Sequence, residues 1–410
     1  MINLVNRARY RQIRQIFLGA IFPLHLRRWR RIFLGRAWLA RGTAQDAGKQ
    51  FETPCKVGPV APPGPGAASI RHNAGSSVLF IHLLAGDPVK PFAPACLCLS
   101  IALSAALSAT LPALAAPPAA APAVAQVAVG KLERLALPPS KYIEPRPVEV
   151  WLPDGYADKA RAGKRFQVLY MHDGQMLFDA RTTWNGTAWG VQDTLARLMR
   201  EGKVDDTIVV AVFNVEQNRY FEYFPQKFLD EMAPEARAAF QREGLKSAPK
   251  ADDYLRFLVR ELKPFVDAKY ATRRDAAGTF VMGSSMGGLI SVYAMSEYPQ
   301  VFGGAAGLST HWPGIGKPNA ALPLAAFNYL NRKLPAPQGH KLYQDHGGVG
   351  LDALYGPYQV FVDQIARDRG YTDANYLSKV FPEDDHNEKA WAARLEAPLV
   401  FLLGGDRSSR

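Results

Sequence analysis

The stretch "FVMGSSMGGLISVYA", residues 280–294, decides the fold. It sets two serines side by side between glycines, and only one of them has glycine both two residues before and two residues after. Ser285 is flanked by Gly283 and Gly287, whereas Ser284 is flanked by Met282 and Met286. A G-x-S-x-G pattern marks a sharp strand-to-helix turn, where a Cβ at either glycine would clash. "GTFV" before it reads as a short buried strand and "GGLISVYAMSEY" after it as a helix, so Ser285 is the candidate nucleophile.

Outward from that turn, the same alternation repeats. "PVEVWLP" alternates as a strand, while "RFQVLYMHDG" and "DTIVVAVFN" are denser apolar runs, as strands covered on both faces should be. "VQDTLARLMREG" and "DDYLRFLVRELKPFVDAKY" carry apolar residues at helical spacing, and strands recur at "GTFVMGS", "GGAAGLS" and "HKLYQDHG". The pattern predicts an α/β fold with a mainly parallel central sheet and helices on both faces, spanning 131–410. Ligands of such sheets bind at the carboxyl ends of the strands, so residues just past each strand are the ones to search.

A serine hydroxyl needs a base, and the base needs an acid to fix its tautomer. Of the four histidines after Ser285, His386 in "FPEDDHNEKAW" follows the strand-like "YLSKVF" and precedes a helix, where a last-loop base belongs. His340 and His346 sit at the two ends of a strand and read as structural; His311 stands beside Trp312 and is placed to line the pocket. For the acid, Asp352 lies in the loop after "HKLYQDHG"; the alternative, Asp345, lies inside that strand, where it is expected to face solvent. Asp384 and Asp385 adjoin the base and are expected to shape its loop. Two backbone N–H groups should receive the developing oxyanion. Met286, at a helix N-terminus, offers one. Gln175, after a turn allowed by Gly174 in "LYMHDGQMLFD", offers the other, with His172 and Asp173 holding the loop.

Several separate motifs now point the same way. "VLYMHDGQMLFD", "WGVQDTLARLMREGKV", "RYFEYFPQKF", "YLRFLVRELKPFVDAKYAT", "VMGSSMGGLISVYA", "GLDALYGPY" and "DDHNEKAW" resemble the esterase family of the alpha/beta-hydrolase superfamily. That family takes in esterase D-type enzymes, feruloyl and acetyl esterases of carbohydrates, siderophore esterases and mycolyltransferases. The resemblance covers roughly residues 131–404 and implies Ser285 as nucleophile, His386 as base, and N–H donors at Met286 and Gln175. Relatives often place the acid in a "GT-x-D"-like loop, whereas the run from Gly347 to Asp352 is longer here. The implied reaction is acyl transfer from a carboxylic ester to water through an acyl-enzyme, with no cofactor and no metal.

Substrate choice is expected to lie in two insertions. Residues 214–250 hold Arg219, Tyr220 and Tyr223, and residues 311–339 begin with His311 and Trp312. With Trp184, Trp189, Tyr355 and Tyr358 these could form an aromatic cleft for sugars or aromatic acyl groups, the competing reading being that such aromatics are simply core. Arg219 is open to an anionic substrate or to a nearby glutamate. Substrate-contact candidates are therefore Trp184, Arg219, Tyr223, His311 and Trp312.

The N-terminal region is different in kind. Residues 1–115 carry 14 basic and 3 acidic side chains, so nearly all of the chain's net +12 resides there, and so do all three cysteines, Cys55, Cys96 and Cys98. The esterase-like region can therefore hold neither a disulfide nor a thiolate-zinc site. Within 89–115, Lys90, an apolar run and Ala113-Leu114-Ala115 follow the order of a secretory signal, with a membrane-spanning helix as the rival reading. Residues 116–130 read as a Pro/Ala-rich linker. Residues 1–88 read as a disordered or translated upstream extension, against an arginine-rich targeting segment or a nucleic-acid or membrane-surface arm. The expectation is a periplasmic or secreted serine ester hydrolase acting on a small-molecule or carbohydrate ester, such as a sugar-linked acetyl or feruloyl ester. It has no nucleic-acid partner and no stable membrane span after signal cleavage. The rivals are an acyltransferase with the same machinery and an inactive binding protein of the same fold.

Overall fold

The computed structural model describes residues 124–405, apart from 246, 317 and 318. The extension 1–88, the signal-like segment 89–115, the three cysteines and most of the linker lie outside the described residues.

Eight strands form one sheet: β1 (Lys131–Arg134), β2 (Val148–Leu152), β3 (Gln167–Met171), β4 (Thr207–Val212), β5 (Thr279–Ser284), β6 (Gly304–Leu308), β7 (Lys341–Gly347) and β8 (Tyr376–Phe381). Their spatial order is β1-β2-β4-β3-β5-β6-β7-β8. β2 runs antiparallel to both β1 and β4, and every other pair is parallel. This is the alpha/beta-hydrolase arrangement that the sequence predicts.

The dense apolar strands follow from burial on both faces. Val168 and Tyr170 of β3 join one cluster with Leu262, Leu289 and Tyr293, while Leu169 and Met171 join another with Val191, Leu195 and Leu399. β4 divides in the same way, Ile208, Val210 and Val212 against Val209 and Ala211. Two cores therefore clamp the sheet, each fed by alternate residues of the same strands. The helix α1 (Val191–Arg200) buries Val191, Leu195 and Leu198 at helical spacing and keeps its charges outside. After α2 (Glu216–Tyr223), the helix α3 (Met286–Glu297) is buried on nearly every side, because it packs on β5 and β6 while α2 lies against it.

One stretch differs from the expected helical run. "DDYLRFLVRELKPFVDAKY" is one periodic run but folds as a helix, a wider π-helical turn at Phe257–Leu262, and a second helix. Pro264 has no N–H for the carbonyl four residues back, and the wide turn relieves the crowding of its ring there. The insertions carry helices of their own. The first folds into α2, a 3₁₀ segment Gln226–Glu231 and a helix Pro234–Glu243, and the second into α4 (Ala321–Lys333).

The register brings the strand ends level. Ser284 pairs with Leu308, and Leu308 with Asp345, so Ser285, Ser309 and the residues after β7 emerge along one edge. A surface depression of about 530 Å³ bordered by Lys131, Glu133, Asp154, Tyr156 and Lys269 lies at the far edge, by the β1–β2 pair.

Candidate active site

At the end of β5 the chain turns through Ser285, whose φ of 56° and ψ of −120° lie in a region that side chains other than glycine rarely enter. Three backbone hydrogen bonds hold it there: Ser285 N donates to Leu308 O at 2.9 Å, and Ser285 O accepts from Leu289 N at 3.1 Å and His311 N at 3.2 Å. The two flanking glycines have different reasons. A Cβ on Gly283 would stand 2.8 Å from the Gly287 backbone, a true clash; one on Gly287 would stand 3.4 Å from Asp173 Oδ2. The expectation of a clash at both positions is thus corrected: Gly287 is where the His172–Asp173 loop closes over the turn. Ser284 is buried as the last residue of β5.

His386 comes to Ser285 from the loop after β8. Its Nε2 lies 2.9 Å from Ser285 Oγ, and its Nδ1 lies 2.6 Å from Asp352 Oδ1. Asp352 is fully buried at the start of a 3₁₀ turn, and its Oδ2 accepts from Gly347 N at 2.7 Å and Ser309 Oγ at 2.5 Å. Burial alone would raise its pKa, but the hydrogen bonds from His386, Ser309 and Gly347 outweigh it and hold the carboxyl below its ordinary value. The structure thus brings Ser285, His386 and Asp352 into one hydrogen-bonded line. Such a line can move a proton from the serine to the imidazole while the carboxylate fixes the ring.

Asp345 does not face solvent, contrary to expectation. It is fully buried, and its carboxylate accepts from Arg394 Nη2 at 3.1 Å, Ser309 N at 3.1 Å and Tyr343 OH at 2.8 Å. Arg394, itself buried, also donates to Ser309 Oγ at 2.6 Å and to Asp384 Oδ2 at 3.0 Å. Asp385 accepts from the His386 amide at 2.7 Å, the loop-shaping contact expected of it. The long acid loop fits because it is glycine-lined. Gly348 N and Val349 N both donate to Asp384 O at 3.0 Å, and a Cβ on Gly348 would stand 2.2 Å from Pro382 O.

The loop after β3 begins with Asp173 in the left-handed region at φ 56°, followed by a 3₁₀ turn Gly174–Met176. The residue that turns the chain is therefore Asp173. Gly174 serves a different purpose, since a Cβ there would lie 2.7 Å from the Ala211 carbonyl carbon and from the Phe213 ring. Gln175 is tied on both sides, its Oε1 accepting from Asn214 N at 3.2 Å and its carbonyl from Thr182 Oγ1 at 3.2 Å. Met286 opens α3, and the first amides of a helix have no partner within it.

The substrate-contact candidates divide. Arg219 pairs with an aspartate and not with a glutamate: its Nε and Nη2 grip Asp173 at 2.8 Å each, and its guanidinium lies over the Tyr223 ring. Tyr223 and Trp312 are wholly buried, Trp312 donating to Gln359 Oε1 at 3.2 Å, so they stand behind the site's wall rather than on its surface. Trp189 and Tyr355 are buried as well, so of the two readings of these rings the core one holds. His311 is nearly buried beside the base, with Nδ1 2.6 Å from Tyr355 OH; burial first and the nearby His386 second push it down to about 4. Trp184, 79% exposed, is the fully open aromatic among the candidates.

Sequence reasoning missed Ser309 and Arg394. Ser309 directly follows β6 and has φ 46°; its hydroxyl donates to Asp352 and accepts from Arg394 and from Trp391 Nε1 at 2.9 Å. Its place just past a strand end was a usable signal.

A sheet of this topology, with a serine on a strained strand-to-helix turn and a histidine–carboxylate pair at its edge, defines an alpha/beta-hydrolase. A family model described as "Putative esterase" matches residues 141–401, and the chain belongs to that family. It is a carboxylic ester hydrolase. The uncharacterised protein YbbA of Bacillus subtilis (strain 168) is 21% identical over 263 residues, covering 63% of this chain and 93% of that protein. Among solved structures, the enterobactin esterase of Shigella flexneri aligns over 68% of this chain and 60% of its own, at 15% identity and a TM-score of 0.50. A ferulic acid esterase aligns over 67% of this chain and 98% of its own, at 18% identity and a TM-score of 0.49.

Proposed function

We propose that the enzyme is a secreted serine ester hydrolase in which Ser285 is the nucleophile, His386 the general base and acid, and Asp352 the carboxylate that orients His386. The observation that carries this reading is the line from Ser285 Oγ through both imidazole nitrogens to Asp352, at 2.9 and 2.6 Å. As Ser285 Oγ attacks the ester carbonyl, its proton passes to His386 Nε2, and the carbonyl oxygen becomes an oxyanion received by the Met286 and Gln175 amides. The tetrahedral species collapses, the ester C–O bond breaks, and the leaving alkoxide takes the proton from His386. Water then repeats the sequence on the acyl-enzyme, His386 taking its proton, and releases the acid and free Ser285.

For substrate we propose a small-molecule or carbohydrate ester, with sugar-linked acetyl and feruloyl esters as the first to try. The open Trp184 supports a substrate with a flat face. Export is supported by the signal-like order of residues 89–115, and among the described residues no helix is long and apolar enough to cross a membrane.

The test is labelling with a serine-directed fluorophosphonate, followed by peptide mapping, beside turnover of acetyl and feruloyl sugar esters with and without an added alcohol acceptor. Label on Ser285 with release of free acid is expected. Label elsewhere removes the nucleophile assignment, and dominant transfer to the alcohol makes the enzyme an acyltransferase.

A further inference from the structure

We propose that His172, Asp173, Tyr223, Tyr254 and Arg219 are positioning residues that hold the Gln175 amide where the oxyanion forms. The proposal rests on the acyl-enzyme reading above and concerns how its second N–H donor is held.

Two braces meet on Asp173. The outer one is ionic: the carboxylate accepts two bonds from Arg219 at 2.8 Å each and one from Asn214 Nδ2 at 2.6 Å. Because Arg219 and Asn214 both follow β4, this brace ties the loop after β3 to the neighbouring strand end. Burial opposes the charge on Asp173, but Arg219 and Asn214 outweigh it and hold the carboxyl below its ordinary value.

The inner brace is a pair of packed phenols that hold the His172–Asp173 peptide from two sides. Asp173 N–H can only donate, and it donates to Tyr223 OH at 3.2 Å. Tyr223, wholly buried, packs against Tyr254 with the ring centroids 5.3 Å apart. The Tyr254 hydroxyl lies 2.8 Å from His172 Nδ1. Burial pushes the His172 imidazole down to about 4, so the ring is neutral. Tyr223 thus holds the Asp173 amide and Tyr254 the His172 ring, one on each residue of a single peptide. The next two residues are Gly174 and Gln175, and His172 and Asp173 are also the residues that face Gly287 at the elbow. Among the described residues no hydrogen bond joins this set to Ser285 or His386, so its effect is expected at the oxyanion rather than in the proton relay.

The test compares Tyr223→Phe, Asp173→Asn and Arg219→Lys with the unsubstituted full chain. Arg219→Lys keeps the charge on a partly exposed side chain and loses the two-pronged grip, so it remains informative if a buried substitution fails to fold. Active sites are counted by complete fluorophosphonate labelling, so that kcat is expressed per labelled site. The expected result is a kcat about tenfold lower with KM within about twofold, and a matching loss of affinity for phenylboronic acid, which places an oxygen in the same hole. A merely structural role would lower the number of labelled sites and leave kcat per site unchanged. Unchanged kcat per site and boronate affinity in Tyr223→Phe and Arg219→Lys would overturn the proposal, as would a raised KM at constant kcat. Absence of label in the unsubstituted enzyme would overturn the nucleophile reading first, a result distinct from either.

Discussion

At the scale of single residues, Ser285 is held against its own preference. A backbone at φ 56° and ψ −120° costs a side-chain-bearing residue on the order of 1–3 kcal/mol, which glycine avoids. Replacement by glycine is expected to abolish turnover yet stabilise the fold by about 1 kcal/mol, seen as a rise of roughly 2–4 °C in Tm. A lower Tm would mean that the turn is relaxed. The two aspartates near His386 are told apart in the same way. Asp352→Asn removes the acceptor that fixes the His386 tautomer and should lower kcat by about 10⁴-fold. Asp345→Asn leaves that contact in place but breaks a buried pair with Arg394, so it should cost on the order of 3 kcal/mol of stability with kcat within about tenfold. Steady-state kinetics and thermal melts of both variants decide between them. Ser285, His386 and Asp352 were legible because each follows a strand in chain order. Asp345 was misread because strand alternation says nothing of a buried arginine arriving from residue 394.

At the scale of elements, the acid and base loops work as one unit. The Gly347–Asp352 run lies directly on residues 382–384, joined by the two amides that share Asp384 O. Gly348→Ala would push these loops apart, and a displacement of about 1 Å at a catalytic pair costs about a hundredfold in rate. That loss in kcat, with a far smaller change in Tm, is the expected outcome; wild-type turnover would show that the loops move independently. Seven of the eight strands could be read from apolar runs. β1 could not, because "KLER" is a charged edge strand that pairs only with β2 and has no buried face to write a pattern. The π-helical turn and the helices inside the insertions escaped notice because their boundaries depend on packing.

At the scale of the whole molecule, the buried histidines set a pH limit. His172 and His311 are both pushed from the ordinary 6.5 to about 4, chiefly by burial. Above pH 6.5 both are neutral folded or unfolded, and their contribution is complete. Between 6.5 and 4 the unfolded chain takes up protons that the folded one refuses, so stability falls with acidification, by about 3 kcal/mol at most for each. Tm should therefore drop from pH 6.5 to 4.5, and more gently in His311→Gln; equal slopes would show that His311 is not responsible. The two cores, the eight strands and the site described above are built from residues within 124–405, and a chain beginning at Ala116 is proposed to fold and keep its activity. That protein also permits the decisive comparison. Turnover of p-nitrophenyl acetate and butyrate is measured for it and for its Ser285→Ala and Ser284→Ala variants. The account predicts that only Ser285→Ala abolishes hydrolysis. Activity retained in Ser285→Ala, or lost equally in both, would contradict it.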